Sequence, residues 1–310
     1  MKTKIIVAGS INMDLVTRAA IPRPGETVIG GDLQAFPGGK GANQAVAAAR
    51  MGGQVSMIGR VGEDAFGAQM RAALEKDAVD TTFVLPTAGT PTGVALIVVD
   101  ERGQNSIVVT PGANGRLAPS DIDTAADAIA AVDVLLLQLE ISLETVQRAA
   151  ELAAQHGLKV ILNPAPAAPL PQDLLSKVDI LIPNEIEAAA LSGMPTGNTA
   201  ELEAAAGQLL EQGVGAVILT LGERGALLVD GQSKTLRPAF GVKEVVDTTA
   251  AGDAFAGALA VAVGEGLPLP EAISWATAAG ALAVTKSGAQ PSLPTRAEVL
   301  DLLAGFAWSR

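Results

Sequence analysis

A carboxylate at Asp253 follows three residues with almost no side chain, Ala250, Ala251 and Gly252, in the segment VVDTTAAGDAFAGALAVAV at 245–263. The apolar run behind it reads as a buried helix, so Asp253 stands at the mouth of that helix. Small residues leave the first-turn N–H groups bare, and a bare helix N-terminus receives anions such as phosphate. An anion hole beside a carboxylate suits phosphoryl transfer: the amides hold charge on the moving group while the acid takes the proton of an attacking hydroxyl. The plain alternative is an acid that stabilises the helix dipole, worth about 0.3–1 kcal/mol.

Two further stretches carry polar groups in suggestive places. In FPGGKGANQAVAAARMGG, Gly38, Gly39 and Gly41 allow close backbone approach, and a helix is expected to start near Ala42 with Lys40 and Asn43 in its first turn. A glycine-rich loop-helix junction of no chemical role is the competing explanation. In GSINMDLV, Asn12 and Asp14 fall just past the first strand-like run, at the end where open α/β sheets bind ligands. Residues of these types two apart are also ordinary turn formers. Neither a G-x-x-x-x-G-K-[ST] phosphate loop nor a G-x-G-x-x-G after the first strand is present, which leaves a dinucleotide-dependent oxidoreductase unsupported.

The elements that must position these groups alternate along the chain. Continuous apolar runs of strand length, KIIVAG, VSMIG, VLLLQLE, KVILNP, DILIPN and AVILTLG, are what strands covered on both faces look like. Helix-period segments such as Leu143–His156 and Thr199–Gln212 lie between them. The alternation predicts an α/β fold with a Rossmann-like, mostly parallel sheet flanked by helices. Residues 13–38 and 92–110 break the pattern with β-prone pieces and turn formers, the second as a hairpin turning at Glu101–Gln104. Together they predict a small sheet standing off the body, a lid or a dimer contact. The expected division is a core of 1–12, 39–91 and 111–310, and a lid of 13–38 and 92–110.

Composition narrows the partners. With 49% hydrophobic but only 3% aromatic residues among 310, the core must be filled by Ala, Val, Leu and Ile. A net charge of −12 without any basic block argues against nucleic acid and anionic membranes, so a bound polyanion must be held by backbone amides or a metal. No cysteine is present, excluding disulfides and thiolate chemistry. The start, MKTKIIVAGS, lacks the apolar region of a signal peptide and no run approaches membrane-spanning length, so a soluble, cytoplasmic protein is expected.

Taken in order, PGGKGANQAVAAARMGG and VVDTTAAGDAFAGALA, supported by LQLE, LNPAPA, PNEIEAAALSG and TLGERGA, resemble the phosphofructokinase-B family of carbohydrate kinases, and within it the members that act on D-ribose. The resemblance implies ATP-dependent phosphorylation of D-ribose at O5, with Asp253 as general base and Ala250, Ala251 and Gly252 as anion hole. It implies sugar contacts from Asn12, Asp14, Gly39, Lys40, Asn43, Glu140 and Asp253. For ATP it implies Asn184, Thr220, Leu221, Gly222, Glu223, Arg224, Gly225, Gly252 and Thr277. Asn184 and Glu187 match a motif for Mg²⁺, through water. Asp247, Thr249, Ala283, Lys286, Gly288 and Ser292 match a K⁺ site behind the anion hole, Lys286 through its carbonyl. The same likeness implies a closing β-sheet lid and a homodimer. The bland alternatives are a helix cap for Asn184 and a surface acid for Glu187.

The remaining polar residues have structural explanations. His156, the sole histidine, sits at a helix end before Gly157, as a C-terminal cation would. Glu63 and Asp64 lie in a turn. Met13 and Phe36 fit either core packing or the apolar side of a sugar. Competing functions are a kinase of the same family for deoxyribose, another pentose, fructose or a nucleoside such as adenosine, and a non-catalytic sugar sensor on the same fold.

Overall fold

The computed structural model describes residues 2–102 and 104–305. Gly103 of the predicted hairpin turn, and Met1 and 306–310 of the predicted core ranges, lie outside the described residues. Among the described residues, thirteen strands form two sheets. They are β1 (Lys4–Ala8), β2 (Asn12–Arg18), β3 (Gln34–Gly38), β4 (Gln54–Gly62), β5 (Asp80–Thr87), β6 (Gly93–Val99) and β7 (Asn105–Thr110), followed by β8 (Val134–Leu137), β9 (Lys159–Leu162), β10 (Ile180–Leu181), β11 (Ala216–Thr220), β12 (Ala226–Asp230) and β13 (Lys234–Arg237). The large sheet runs β13-β12-β11-β10-β9-β8-β1-β4-β5. It is parallel from β11 through β5, and β12 and β13 add an antiparallel edge.

Strand alternation sends the apolar runs to two cores. Ile5, Val7 and Leu136 face the helices Lys40–Arg50, Ala251–Gly264 and Leu269–Ala283; Ile6, Ala8, Leu135 and Leu137 face Leu143–Gln155 and Thr199–Glu211. Small residues matter most on the first side. There Ala, Gly and Val let helices approach closely: a Cβ on Gly257 would stand 2.5 Å from Ala47 Cβ and 2.8 Å from the backbone nitrogen of Ala48. That contact holds the helix carrying Asp253 against the helix carrying Lys40 and Asn43.

The smaller sheet has the order β3-β2-β6-β7. Its β6 and β7 pair antiparallel, as the predicted hairpin requires, and Asp100 closes the turn by accepting from the Gln104 N–H. The sequence reading placed Asn12 past the first strand and left a turn open for it; instead Asn12 opens β2, with Asp14 two residues on and on the same face. The helix expected near Ala42 begins at Lys40, because Gly39, at φ 88°, provides the turn into it. Strands β5, β12 and β13 were not anticipated; β5 and β13 are edge strands whose partly exposed residues give no continuous apolar run, whereas β12 is a short buried run, Ala226–Val229, that the sequence reading passed over. Among the described residues no helix is long and apolar enough to cross a membrane.

Candidate active site

The chemistry-bearing residues gather where the parallel strands end. Ser10 follows β1, Glu140 follows β8, Asn163 follows β9, Asn184 follows β10 and Leu221 follows β11, all at the C-terminal edge of the large sheet. This is where side chains from successive strands converge and where the N-termini of the following helices point. A concavity of about 660 Å³ at the opposite edge is lined by the exposed pair Lys159–Asp179, Gly215 and Asp230, and brings no comparable set of polar groups together.

The helix Ala251–Gly264 begins with Ala250 in the left-handed conformation, φ 60°, and no side chain caps it. The Ala251 N–H donates to the Thr248 carbonyl at 3.3 Å, so the anion hole is narrower than three bare amides. Ala254 is the first residue to donate back to the helix start, to Ala250 at 2.8 Å. The Gly252 and Asp253 N–H groups precede it, and the space beside Gly252 is open: a Cβ there would meet nothing within 4 Å. Asp253, third in the helix, is 6% exposed and has one donor on each oxygen, Asn43 Nδ2 to Oδ2 at 2.9 Å and Gln44 Nε2 to Oδ1 at 3.0 Å. Buried carboxylates need such donors, and these are neutral, leaving the charge free to act on a third group.

Around it stand the groups expected to hold a sugar. Lys40 donates its backbone N–H to Glu140, which also accepts from Ser10 Oγ at 2.5 Å. Burial would lower the Lys40 pKa, but Asp253, Glu140, Glu187 and Asp14 outweigh it and hold the ammonium charged. Asp14 goes the other way: burial, then the Glu140 and Asp253 charges, push its carboxyl up to about 7 against the pull of Lys40. Asn12 is fixed by Asn114, whose Nδ2 donates to Asn12 Oδ1 at 2.6 Å. Asn43 Oδ1 is buried with no partner among the described groups, an acceptor a bound hydroxyl would satisfy. Thus Asp14, Lys40, Asn43, Glu140 and Asp253 share one site, with Asn12 in the same strand as Asp14 and Gly39 at the turn before Lys40.

The nucleotide-side residues form a second group. Asn184 and Glu187 make a reciprocal cap, Glu187 N–H to Asn184 Oδ1 at 2.8 Å and Asn184 N–H to Glu187 Oε2 at 2.9 Å, so the bland explanation of Asn184 is correct as far as it goes. Burial raises the Glu187 carboxyl, offset in part by the Asn184 N–H and Lys40. Thr220 bridges to Asn184, and Leu221, Gly222, Glu223, Arg224 and Gly225 turn away from it, with Gly222 and Gly225 at φ 57° and 95°. Arg224 pairs with Glu185 at 2.6 Å, tying this turn to the 185–192 helix. Thr277 is buried, with its hydroxyl bonded to Ile273 O in its own helix. Behind the helix start, Asp247 accepts from the Thr249 and Gly288 N–H groups, each at 2.9 Å. Burial alone would raise its pKa, but those bonds win and lower it. The Lys286 N–H reaches Ala283 O, its ammonium turns to Glu298 at 2.8 Å, and Ser292 Oγ donates to Ala289 O. No group of three or more His, Asp or Glu side chains among the described residues is arranged to hold a metal.

Several residues escaped the sequence reading: Ser10, Gln44, Asn114, Gln138 and Asn163. Gln138 and Gln44 carried a signal, as lone polar residues in an apolar strand and on a buried helix face. Asp64 is structural as expected: it caps the helix Ala65–Lys76 and accepts from Thr92. His156 caps the end of the helix Leu143–Gln155.

Comparison with known proteins gives a consistent result. The family model described as pfkB family carbohydrate kinase matches residues 2–296. The chain is 42% identical over 305 residues to the ribokinase of Haemophilus influenzae, covering 98% of this chain and 99% of that one. It is 40% identical over 293 residues to the deoxyribokinase of Salmonella typhi, covering 94% and 95%. Its fold superposes on Arabidopsis thaliana ribokinase complexed with ribose and ATP with a TM-score of 0.92 at 36% identity, over 99% of this chain and 100% of that one. A strand-end cluster of buried polar groups beside an uncapped helix start, on a chain matched nearly end to end, leads to one assignment: this chain belongs to the pfkB family of carbohydrate kinases.

Proposed function

We propose that this chain is an ATP-dependent kinase of D-ribose, forming D-ribose 5-phosphate and ADP. One observation carries the mechanism: a buried Asp253 carboxylate, aligned by two neutral amides, three residues into a helix whose first amides are open. Lys40, Asn43, Asp14, Asn12, Glu140 and the Gly39 backbone grip the sugar hydroxyls, the carboxylates accepting and the ammonium and amide donating. Asp253 takes the O5 proton as O5 attacks the γ-phosphorus and the bond to the β–γ bridging oxygen breaks. The Gly252 and Asp253 amides, with Ala250 and Ala251 shaping the turn, receive the charge on the transferring group. Asn184, the 220–225 turn and Thr277 form the ATP side.

The acidic donor sets suit cations. When bound, Mg²⁺ neutralises phosphate charge, and a raised, buried Glu187 with one oxygen free beside Asn184 fits a water-mediated site. The ionised Asp247 and the backbone of Thr249, Ala283, Lys286, Gly288 and Ser292 fit K⁺, with the Lys286 ammonium drawn off by Glu298. The small sheet, from 13–38 and 92–110, serves as a lid that excludes water from the phosphoryl group, and the remaining residues form the core domain. Its exposed Leu96, Ile107, Val108 and Val109 fit a homodimer joined through the lids. ATP as co-substrate is compatible with a cytoplasmic enzyme.

A screen of D-ribose, 2-deoxyribose, fructose and adenosine with coupled ADP detection tests the reading. Ribose should give the highest kcat/KM. The likeness to a deoxyribokinase makes 2-deoxyribose the second candidate. Turnover of ribose no faster than of fructose or adenosine overturns the substrate and leaves the family untouched.

A further inference from the structure

Gln44 is wholly buried next to Asp253, one of the two amides that align it, and touches neither the sugar nor the phosphoryl group in the steps above. Every hydrogen-bonding atom of its amide is engaged. Nε2 donates to Asp253 Oδ1 at 3.0 Å and to Asn163 Oδ1 at 3.1 Å, while Oε1 accepts from Gln138 Nε2 at 2.6 Å. Those partners fix which way the amide faces. Turned over, its oxygen would confront two oxygens and its NH₂ another NH₂. Asn163 is itself held by a bond to the Ile182 carbonyl at 3.0 Å. Gln138 lies against Gly9, where a Cβ would collide with Gln138 Oε1. The ends of β1, β8 and β9 therefore converge on Gln44, and Gly257 seats its backbone against the helix that carries Asp253.

We propose that Gln44 is a positioning residue that ties the Asp253 carboxylate to the ends of the central strands and keeps it aimed at the acceptor hydroxyl. Aspartate needs only a χ2 rotation to redirect its oxygens. With Asn43 alone as donor, one oxygen is pinned and the other is free to turn. A donor on each oxygen removes that freedom. The proposal rests on Asp253 being the base.

The test uses the full-length protein with Gln44→Met, which keeps length without polarity, Gln44→Glu, which sets a second carboxyl against Asp253, and Asp253→Asn as reference. Gln44→Met should lower kcat about tenfold or more while KM for ribose stays within about twofold. Gln44→Glu should move the acid limb of the kcat/KM profile to higher pH, since a neighbouring like charge makes the base harder to ionise. Thermal midpoints identify a variant that does not fold, in which case Asn163→Ala, which removes one of the three bonds, should show the smaller kcat loss. Collapse of turnover in Asp253→Asn with unchanged kcat and pH limb in the folded Gln44 or Asn163 variants overturns the positioning role alone. Near-normal turnover in Asp253→Asn overturns the base and this role together.

Discussion

Asn43 and Asp253 are 210 positions apart in the chain and are joined by a hydrogen bond of 2.9 Å between Nδ2 and Oδ2. Their helices meet at Gly257, one turn beyond Asp253, where no side chain intervenes. The two motifs that sequence marks separately are thus brought to one place, where the proposed sugar and phosphoryl ends would share a wall. The Oδ1 of Asn43 beside that bond is buried and partnerless among the described groups, an acceptor open to the hydroxyl of the proposed substrate.

Replacing Asp253 with Asn keeps the shape and removes the base. Turnover should fall by about 10²–10⁴, the usual worth of a positioned general base. Ribose binding, followed by calorimetry, should persist. Near-normal turnover would show that the proton leaves by another route.

Asp14 sets a pH dependence of stability. Its carboxyl titrates near 7 when folded, against an ordinary value of 3.8. The folded chain therefore holds a proton that the unfolded chain has already lost. Stability is fully present below about 4 and declines as pH rises towards 7. Asp14→Asn should remove that decline, so melting temperatures of the unliganded pair should diverge between pH 5 and pH 8 in favour of the variant. Parallel curves would place the Asp14 titration elsewhere.

Gly257→Ala pits two effects against each other. Helix propensity favours Ala by about 1 kcal/mol in an open helix interior. Here the added methyl meets Ala48 N and Gln44 O, each at 2.8 Å, and backbone does not yield as a flexible side chain does. Overpacking of about 1–3 kcal/mol should win. Denaturant unfolding should show a lower midpoint at unchanged m, and kcat should fall with it as Gln44 and Asn43 are displaced from Asp253. A raised midpoint would mean that the helices part freely.

Leu96 and Val108 are opposite each other on β6 and β7 and are 48% and 61% exposed. Changing both to Lys should convert the proposed dimer to monomer in sedimentation velocity, because like charges would face each other across the joint. A mass unaffected by the change would assign the contact to another surface.

The central strands were legible because each is buried on both faces and so reads as an unbroken apolar run. The edge strand Asp80–Thr87 was not, since DTTFVLPT mixes polar residues and a proline where solvent permits them. Asp253, Lys40 and Asn43 were legible through their small neighbours, which only a close approach or an open amide explains. Gln44 showed only as a polar residue on a buried helix face and Asn163 not at all, because sequence does not distinguish a buried amide's structural bond from one to a base.

Local chemistry is written in the chain itself. Small residues before Asp253 free the helix amides, glycine before Lys40 permits the turn, and alternating apolar runs dictate a layered sheet. Which polar groups meet is a matter of strand order: β1, β8 and β9 are neighbours in the sheet though far apart in sequence, and that adjacency brings Ser10 to Glu140 and Gln44 to Gln138 and Asn163. Burial then sets the charges. The same carboxyl that would ionise near 4 in an open chain holds its proton to about 7 at Asp14, because folding takes away its water and sets two other acids beside it.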